Sequence, residues 1–318
     1  MHEIRVAVVA VVFLVMLPLA TFAQNPSNPI QVAQLRWYKA NTVTQFATCG
    51  GAANSGLTFD GANVWVACPS LKELQEFSSS DGTLVTTIAG ITSPYALTFD
   101  GVNLWVSTFS TSGQLTVFNT QTGSVAKTVV VGSQPADMAF DGTNIWVANT
   151  GSNSVSKVLA STGAVTTYSL SGCTAPHGMA FDGTNIWVSC SGNATIEELN
   201  SSGSTLKSVT VGTTPWGMTF DGTYVWVANK GTTSVTRVKV ATFATKTITV
   251  GTAPTAVIFD TEWVWVANSG SNTVSKILAS SGSVVGTYTS GSTPAFAAFD
   301  GGNVWVANTG AASSLQKF

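Results

Sequence analysis

Charged side chains are scarce in this chain of 318 residues. Asp, Glu, Lys and Arg together make up 9% of the sequence, and the formal net charge at pH 7 is −2. Proteins that bind nucleic acid carry a basic stripe that neutralises phosphates, and proteins that bind anionic membranes carry a polybasic patch. Because the sequence has neither, we expect neither nucleic acid nor a membrane among the partners of the mature protein.

Catalytic side chains are also scarce. Of the two histidines, His2 lies at the N-terminus, so His177 is the one that lies after Ala23. The sequence contains no Gly-x-Ser-x-Gly elbow, no phosphate-binding loop and no second histidine for a catalytic triad. The leading hypothesis is therefore a non-catalytic binding scaffold that needs no cofactor.

The N-terminal segment from Met1 to Ala23 predicts export. A short charged start is followed by an apolar run over residues 6–20 and by Thr21-Phe22-Ala23, which supplies small residues where a signal peptidase reads. We predict cleavage after Ala23 and a secreted, periplasmic or cell-surface location. An uncleaved anchor is the alternative, because the apolar run approaches the length of about 20 residues that crosses a bilayer.

The rest of the chain is built from repeats. The segment Phe-Asp-Gly-x-Asn-φ-Trp-Val-Ala-Asn, with φ apolar, recurs with small variations and at nearly constant spacing. Its first residues are Phe59, Phe99, Phe140, Phe181, Phe220, Phe259 and Phe299. Successive copies begin 39–41 residues apart. Repeats of about 40 residues without helical periodicity are typical of β-propeller blades. The sequence thus predicts an all-β, seven-bladed propeller as a single domain over residues 41–318, after a lead-in at 24–40.

Each unit reads as four strands. In the third unit the strands are predicted at residues 135–140, 145–149, 154–159 and 165–170. Asp141-Gly142 closes the first hairpin, since both residues tolerate a positive φ. In the second strand Ile145 and Val147 alternate with Trp146, so that both faces of a blade can pack against neighbours. Blade six has Asp260-Thr261 at this hairpin, and we expect its turn to differ.

A tryptophan and an aspartate recur in every unit. We interpret the tryptophans as core between blades, the alternative being a carbohydrate-stacking surface; they are Trp65, Trp105, Trp146, Trp187, Trp226, Trp265 and Trp305. We interpret the aspartates as turn formers, the alternative being metal ligands; they are Asp60, Asp100, Asp141, Asp182, Asp221, Asp260 and Asp300.

The seventh unit lacks a fourth strand, because it ends after a predicted third strand at 314–318. Residues 41–46 match the fourth-strand pattern of residues 165–170. Pairing them with the last unit would close the ring and remove two open sheet edges. Residues 35–38 could instead compete for the third-strand place. We predict closure by the N-terminal strand and expect a monomer.

The four cysteines occupy two equivalent pairs of positions, one in the loop before the first strand and one in place of the final Asn of the repeat. Four cysteines allow three pairings. Because blades one and four lie apart on the ring, the propeller favours Cys49–Cys68 and Cys173–Cys190, which fits an exported location. Counting along the hairpin places Cys190 opposite residue 177. A cysteine-based metal site is the rival, without another His or Cys at ligand spacing.

One unit carries a family resemblance. Val131-Gly-Ser-Gln-Pro135, followed by Ile145-Trp-Val-Ala-Asn149 and Asn153-Ser-Val-Ser-Lys157, resembles the YVTN family of bacterial exported propellers. The resemblance extends over essentially all of the mature chain. It implies the propeller fold and leaves the function open, because such folds serve as surface, binding and enzyme scaffolds alike.

A second segment, Pro176-His-Gly-Met-Ala180, resembles the Pro-His-Gly segment of streptogramin (virginiamycin B) lyases, which are also seven-bladed propellers. That resemblance implies a lyase or lactonase that opens a cyclic ester, with His177 as catalytic base and Mg²⁺ held by acidic side chains. In that family the second strand typically ends aromatic-Thr-Glu, whereas here it ends in Asn, Cys or Thr. A metal-plus-base site is therefore poorly supplied, and this function is the alternative hypothesis.

A ligand site is predicted at the mouth of the central channel, since first strands line that channel. The position after the repeated Pro holds Ser55, Tyr95, Ala136, His177, Trp216, Thr255 and Ala295, and the next position adds Asp137 and Phe296. Aromatic groups would stack on a protein, glycan or small ligand and the polar pair would orient it. The predicted ligand-binding residues are Tyr95, Asp137, His177, Trp216 and Phe296. Chance variation among loop residues is the alternative.

Overall fold

A computed structural model describes residues 44–51 and 53–318. The predicted signal peptide, the lead-in at 24–40 and the competing strand at 35–38 lie outside these residues. The described chain forms seven four-stranded antiparallel sheets, and its helical turns are two short 3₁₀ segments at Cys49–Gly51 and Thr150–Ser152. No helix in these residues is long and apolar enough to cross a membrane. The predicted all-β, seven-bladed propeller is confirmed.

Six blades are formed by strands that follow one another along the chain. Blades one to three contain β2–β5 at Ser55–Phe59, Asn63–Cys68, Glu73–Ser78 and Leu84–Ala89, β6–β9 at Pro94–Phe99, Asn103–Thr108, Gln114–Asn119 and Val125–Val130, and β10–β13 at Pro135–Phe140, Asn144–Asn149, Ser154–Leu159 and Val165–Ser169. Blades four to six contain β14–β17 at Pro176–Phe181, Ile186–Cys190, Thr195–Leu199 and Thr205–Thr210, β18–β21 at Pro215–Phe220, Tyr224–Asn229, Ser234–Lys239 and Thr245–Thr249, and β22–β25 at Pro254–Phe259, Trp263–Asn268, Thr273–Leu278 and Ser283–Thr289.

The seventh blade combines both ends of the described chain. It contains β26 at Pro294–Phe299, β27 at Val304–Asn308 and β28 at Ser314–Lys317, and β1 at Thr44–Ala47 pairs antiparallel with β28. The predicted ring closure is thereby confirmed, with a strand that extends one residue beyond the predicted end at Phe46. Pairing with β1 covers the edge of β28 that would otherwise be open, and an open strand edge is a template for aggregation.

Phe46 occupies the same place in blade seven as Tyr168 does in blade three. Its ring centroid lies 5.7 Å from that of Trp305, and a Cβ built on Gly82 of blade one would collide with the Phe46 ring. Tyr168 lies 6.1 Å from Trp146, and a Cβ on Gly203 would collide with its ring. A fourth-strand aromatic therefore bridges from its own tryptophan to a glycine turn of the next blade.

This equivalence predicts equal costs for two substitutions. Phe46→Ala should lower the free energy of unfolding by about 2 kcal/mol, below the range for fully buried aromatics because the ring is half-buried. Tyr168→Ala is the matched control and should cost a similar amount. Urea denaturation followed by tryptophan fluorescence measures both. A negligible cost for Phe46→Ala beside a full cost for Tyr168→Ala would contradict the role of β1 in closing the ring.

The recurring tryptophans are buried between blades, each at most 5% exposed. The core interpretation is confirmed, and the aspartates have a second task besides the turn. In every blade Asp Oδ2 accepts a hydrogen bond from the indole Nε1 of the tryptophan five residues later, at 2.6–2.8 Å. Meanwhile Oδ1 accepts backbone N–H groups of the turn, as in blade three. The carboxylate thus ties the hairpin turn to the core.

Two local expectations were wrong. The turn of blade six keeps the common hydrogen bonds, because Thr261 adopts a positive φ of 86°, close to the 91–96° of the glycine in the other blades. In blade four Cys190 pairs with Pro176 and not with residue 177, because the register shifts between Pro176 and Met179. A β-bulge at the start of the first strand, absent from simple hairpin counting, accounts for the second difference.

Both predicted disulfides are confirmed. Cys49 is bonded to Cys68 and Cys173 to Cys190, with Cα–Cα distances of 5.3 Å and 5.0 Å, and no cysteine of the described residues is free. Each bond fastens the loop that enters a first strand to the end of the neighbouring second strand. These are the loops that frame the channel mouth in blades one and four.

Two lysines also join neighbouring blades. Lys157 Nζ lies over the Trp146 ring and donates to the carbonyl of Ser201 in the next blade. Lys317 Nζ lies over the Trp305 ring and donates to the carbonyl of Ser79, which links blade seven to blade one across the closure. Both ammonium groups thus cap carbonyls of hairpin turns in the next blade.

Candidate functional site

The first strands of all seven blades line a central cavity of about 500 Å³. Four of the five predicted site residues line it near the end where the first strands begin, namely Asp137, His177, Trp216 and Phe296. At the other end of the same strands the lining includes Phe59, Phe259 and Phe299. The position predicted from the repeat is therefore a channel-facing position, while the role of these residues in ligand binding stays a prediction.

Tyr95 is not among the residues that line this cavity. Its ring lies 4.8 Å from that of Phe109 and 6.0 Å, edge-on, from that of Phe296. The rings of Tyr95 in blade two and Phe296 in blade seven can meet because blade one, which lies between them, has the small residues Ser55 and Gly56 at the corresponding positions. A Cβ on Gly56 would collide with the carbonyl oxygen of Tyr95. Burial raises the pKa of Tyr95 to about 12, with a further contribution from the charge of Asp137. Tyr95 thus supports Phe296 from behind as a neutral phenol.

His177, Trp216 and Lys230 form a stack. The ring centroids of His177 and Trp216 are 3.4 Å apart, and Lys230 Nζ lies 3.5 Å from the centroid of the Trp216 ring. Two groups this close to one ring centre cannot share a face, so they lie on opposite faces of the indole. Trp216 therefore offers a ligand its edge and not a free face. His177, on the other face of the indole, is itself buried and contributes a small exposed part to the cavity lining.

His177 is 6% exposed, and its Nδ1 is enclosed without a hydrogen-bond partner among the residues that the structure describes. Burial lowers the pKa of His177 to about 3, and the charge of Lys230 lowers it further. A buried imidazole resists protonation because the charged form loses its hydration. His177 is consequently neutral over the physiological pH range and is a weak base.

Asp137 is the one carboxylate among the residues that line the cavity. Its Oδ1 accepts the backbone N–H of Met138 at 2.8 Å, and its Oδ2 accepts that of Met179, in the next blade, at 3.0 Å. Burial raises the pKa of Asp137 to about 6, against the lowering effect of these two hydrogen bonds. The other blades have Gly, Ala or Phe at this position. Asp137 thus holds an ionisable, oriented carboxyl group in the wall of the channel.

Two residues near the mouth were missed by sequence reasoning, Phe109 and Lys230. Both directly follow the end of a second strand. In four other blades this position holds a hydroxyl that donates to a backbone carbonyl of a neighbouring loop, at Thr150, Ser191, Ser269 and Thr309. A departure from Ser or Thr at this position was the available signal; it occurs at Pro69 of blade one and beside Tyr95 and Trp216.

The described residues contain no cluster of side chains that could bind a metal ion. Within residues 44–51 and 53–318, no three His, Cys, Asp or Glu side chains lie close enough together to hold a metal ion. The repeated turn aspartates are spread one per blade and are engaged by tryptophan N–H groups. Their interpretation as turn formers is consistent with this placement.

No protein-family model and no curated protein matches the chain. Solved structures match it over most of its length. A streptogramin B lyase structure has 14% sequence identity, covers 87% of this chain and 97% of its own, and superposes with a TM-score of 0.76. A catalytically inactive virginiamycin B lyase from Staphylococcus aureus with quinupristin has 18% identity, coverage of 87% and 98%, and a TM-score of 0.75.

A hydrazine synthase from Kuenenia stuttgartiensis is also similar, with 16% identity, coverage of 83% and 95%, and a TM-score of 0.73. Identities this low establish a common fold and carry no activity across. The resemblance to streptogramin lyases suggested by Pro176-His-Gly-Met-Ala180 is therefore confirmed at the level of the fold. The chain shares the seven-bladed propeller fold of streptogramin B lyases.

Proposed function

We propose that the protein is an exported propeller of the YVTN type that binds a small, ring-bearing ligand at the mouth of its central channel. The observation that carries the proposal is the cavity of about 500 Å³, whose lining includes Asp137, His177 and Phe296 from three different blades. Small-molecule sites are concave, largely apolar and of about 300–1,000 Å³. A protein partner would instead need a broad surface of roughly 800 Å².

In this proposal the site residues have different roles. His177 and Phe296 supply ring faces for contact with the ligand, and Asp137 supplies an oriented polar group. Trp216 has Lys230 and His177 on its two faces and acts as a rigid support. Tyr95 supports Phe296 in the same way. Because rigid supports reduce the entropy lost on binding, this arrangement favours a preformed site.

Export is supported by three observations. The segment from Met1 to Ala23 has the pattern of a signal peptide. The two disulfides are bonds that persist in oxidising compartments outside the cytosol. The repeat segments that resemble the YVTN family point to the same exported class.

The binding proposal is tested with the mature protein and a panel of neutral sugars, aromatic alcohols and lactones, using ligand-observed NMR. For any compound that binds, His177→Ala and Phe296→Ala should each weaken affinity at least about tenfold, equal to about 1.4 kcal/mol. Phe243→Ala is the matched control, since Phe243 is a half-buried aromatic of a hairpin turn away from the channel mouth. Affinities within about threefold of wild type in both site variants would place the ligand elsewhere.

A lyase or lactonase is the second candidate, favoured by the position of His177 in the channel of a lyase-like fold. The depressed pKa of His177 disfavours it, because an effective general base has a pKa near the working pH. Turnover of the same lactones, measured with and without Mg²⁺, separates the two functions. Metal-dependent turnover that is lost in His177→Ala would replace the binding proposal with catalysis.

A further inference from the structure

Asp137 is a partly buried carboxylate with no cationic partner among the described residues. Its hydrogen bonds within the described residues come from two backbone N–H groups, those of Met138 and Met179. No cationic side chain is among the groups that influence its pKa. Buried charges in proteins are normally paired, since desolvation of an unpaired charge is costly. The carboxylate is held in place by the backbone, yet its charge is uncompensated.

The remaining lining of the cavity offers no positive charge either. Lys and Arg are absent from the described side chains that line it, and His177 stays neutral because burial lowers its pKa to about 3. Lys230, the cation of the stack, lies on the face of Trp216 opposite His177. The Lys230 ammonium is not part of the cavity lining, although its charge reaches His177 and lowers the pKa of that imidazole. The cavity presents one negative charge among aromatic and aliphatic surfaces.

Aromatic faces beside a carboxylate favour one class of ligand. The face of an aromatic ring attracts cations through its quadrupole, and a carboxylate accepts charge-assisted hydrogen bonds from an ammonium group. Phe296 and His177 line the same cavity, and Asp137 lies on the blade next to that of His177. An anion would meet an uncompensated carboxylate, and a neutral ring would leave that carboxylate unpaired.

We propose that the channel mouth is selective for a small aromatic ammonium ion, whose ammonium group pairs with Asp137 while its ring packs against His177 and Phe296. This inference rests on the proposed function and narrows it to one ligand class. The ammonium N–H groups donate to the free lone pairs of Asp137 Oδ1 and Oδ2, whose other lone pairs accept from Met138 and Met179.

Three probes of equal size and different charge test the proposal: benzylammonium, benzyl alcohol and benzoate. Their dissociation constants for the mature protein are measured by NMR titration at pH 7.5, where Asp137 is ionised. Benzylammonium should bind at least about tenfold more tightly than the other two. Asp137→Asn, which keeps the shape of the side chain, should bring the three affinities to within about threefold of one another.

The control is Asp81→Asn, which removes the same charge from an exposed turn of blade one and should leave the preference for benzylammonium unchanged. Should Asp137→Asn disturb the fold, the ranking in the wild-type protein decides alone: benzyl alcohol or benzoate binding as tightly as benzylammonium overturns the cation selectivity. If the three probes bind with equal affinity and His177→Ala abolishes their binding, the selectivity for cations is overturned while the ligand site stands. Failure of all three probes to bind, or binding that survives both His177→Ala and Phe296→Ala, would overturn the site as well.

Discussion

Asp137→Asn and His177→Gln should change the pH dependence of stability in opposite directions. Burial raises the pKa of Asp137 in the folded protein to about 6 from an ordinary value of 3.8, so the fold binds this proton more tightly than the unfolded chain. The stability that protonated Asp137 contributes is therefore present at low pH and is lost as pH rises from about 4 to about 6. The size of the loss is about 3 kcal/mol, at about 1.4 kcal/mol per pKa unit.

His177 acts with the opposite sign. Its pKa falls from 6.5 to about 3 in the folded protein, so between these pH values the unfolded chain binds the proton and the fold does not. Stability from neutral His177 is present above pH 6.5 and is lost as pH falls towards 3. The loss approaches about 5 kcal/mol. In the wild-type protein the two slopes oppose each other between pH 4 and 6.

Removal of one group should reveal the slope of the other. Between pH 4 and 6, Asp137→Asn should make stability rise more steeply with pH than in wild type, and His177→Gln should make it fall. Urea denaturation at pH 4, 5, 6 and 7.5 measures the free energies of unfolding. The Asp137→Asn/His177→Gln double variant is the control and should run parallel to wild type over this range, since other titrating groups are common to all four proteins. If the stability of all four proteins had the same pH dependence, the shifted pKa values of both side chains would be contradicted.

The second large effect concerns the disulfide of blade four. In four other blades the place of Cys173 is taken by glycine and that of Cys190 by asparagine. A Cβ built on each of these glycines would collide with the side chain of the paired asparagine, the pairs being Gly132 with Asn149, Gly212 with Asn229, Gly251 with Asn268 and Gly291 with Asn308. The same space therefore accommodates either a glycine and an asparagine or two bonded cysteines.

The asparagine makes hydrogen bonds that the disulfide cannot. Asn149 Nδ2 donates to the hydroxyls of Ser154 and Ser156 on the adjacent strand. In blade four the residue paired with Cys190 is Thr195, whose Oγ1 is buried without a partner in the described structure. An asparagine at position 190 would provide this hydroxyl with the partner that it lacks.

Cys173→Ala/Cys190→Ala should lower the free energy of unfolding by about 3 kcal/mol, because the bond spans 17 residues and its loss frees the unfolded chain. Cys173→Gly/Cys190→Asn should recover about 1 kcal/mol of this through new hydrogen bonds. Cys173→Gly/Cys190→Ala is the matched control, since it has the glycine without the asparagine and should show no such recovery. Urea denaturation under non-reducing conditions compares the three. A Gly/Asn variant no more stable than the Ala/Ala variant would refute the idea that a glycine–asparagine pair can take the place of the disulfide.

The repeat made much of the architecture predictable. Each blade carries its own hairpin signal, Asp-Gly in all but blade six, and its own core residue in the tryptophan, so that seven copies of a local pattern predict seven sheets. Ring closure was predictable because residues 41–46 repeat the pattern of a fourth strand. The disulfides followed once the blades were assigned, since Cys49 and Cys173 are too far apart on a ring to pair with each other. All of these are relations within one blade or between equivalent positions.

The site was only partly predictable. Asp137, His177, Trp216 and Phe296 were found because they break the repeat at a channel-facing position. Sequence reasoning could not show that Trp216 has both faces occupied, since the Lys230 ammonium comes from a different turn. The same holds for Tyr95, which packs behind Phe296 and does not line the cavity.

The amino-acid sequence by itself determined the fold class, the number of blades, the strand that closes the ring and the pairing of the cysteines, because each of these depends on local patterns repeated along the chain. The tertiary structure alone decided the electrostatic state of the channel mouth. The pKa of His177 and that of Asp137 depend on desolvation by neighbouring blades, and equivalent positions of such blades are separated by a full repeat of the sequence. Burial arises only when the ring has closed, so the chemistry of the mouth is a property of the assembled blades and not of any one repeat.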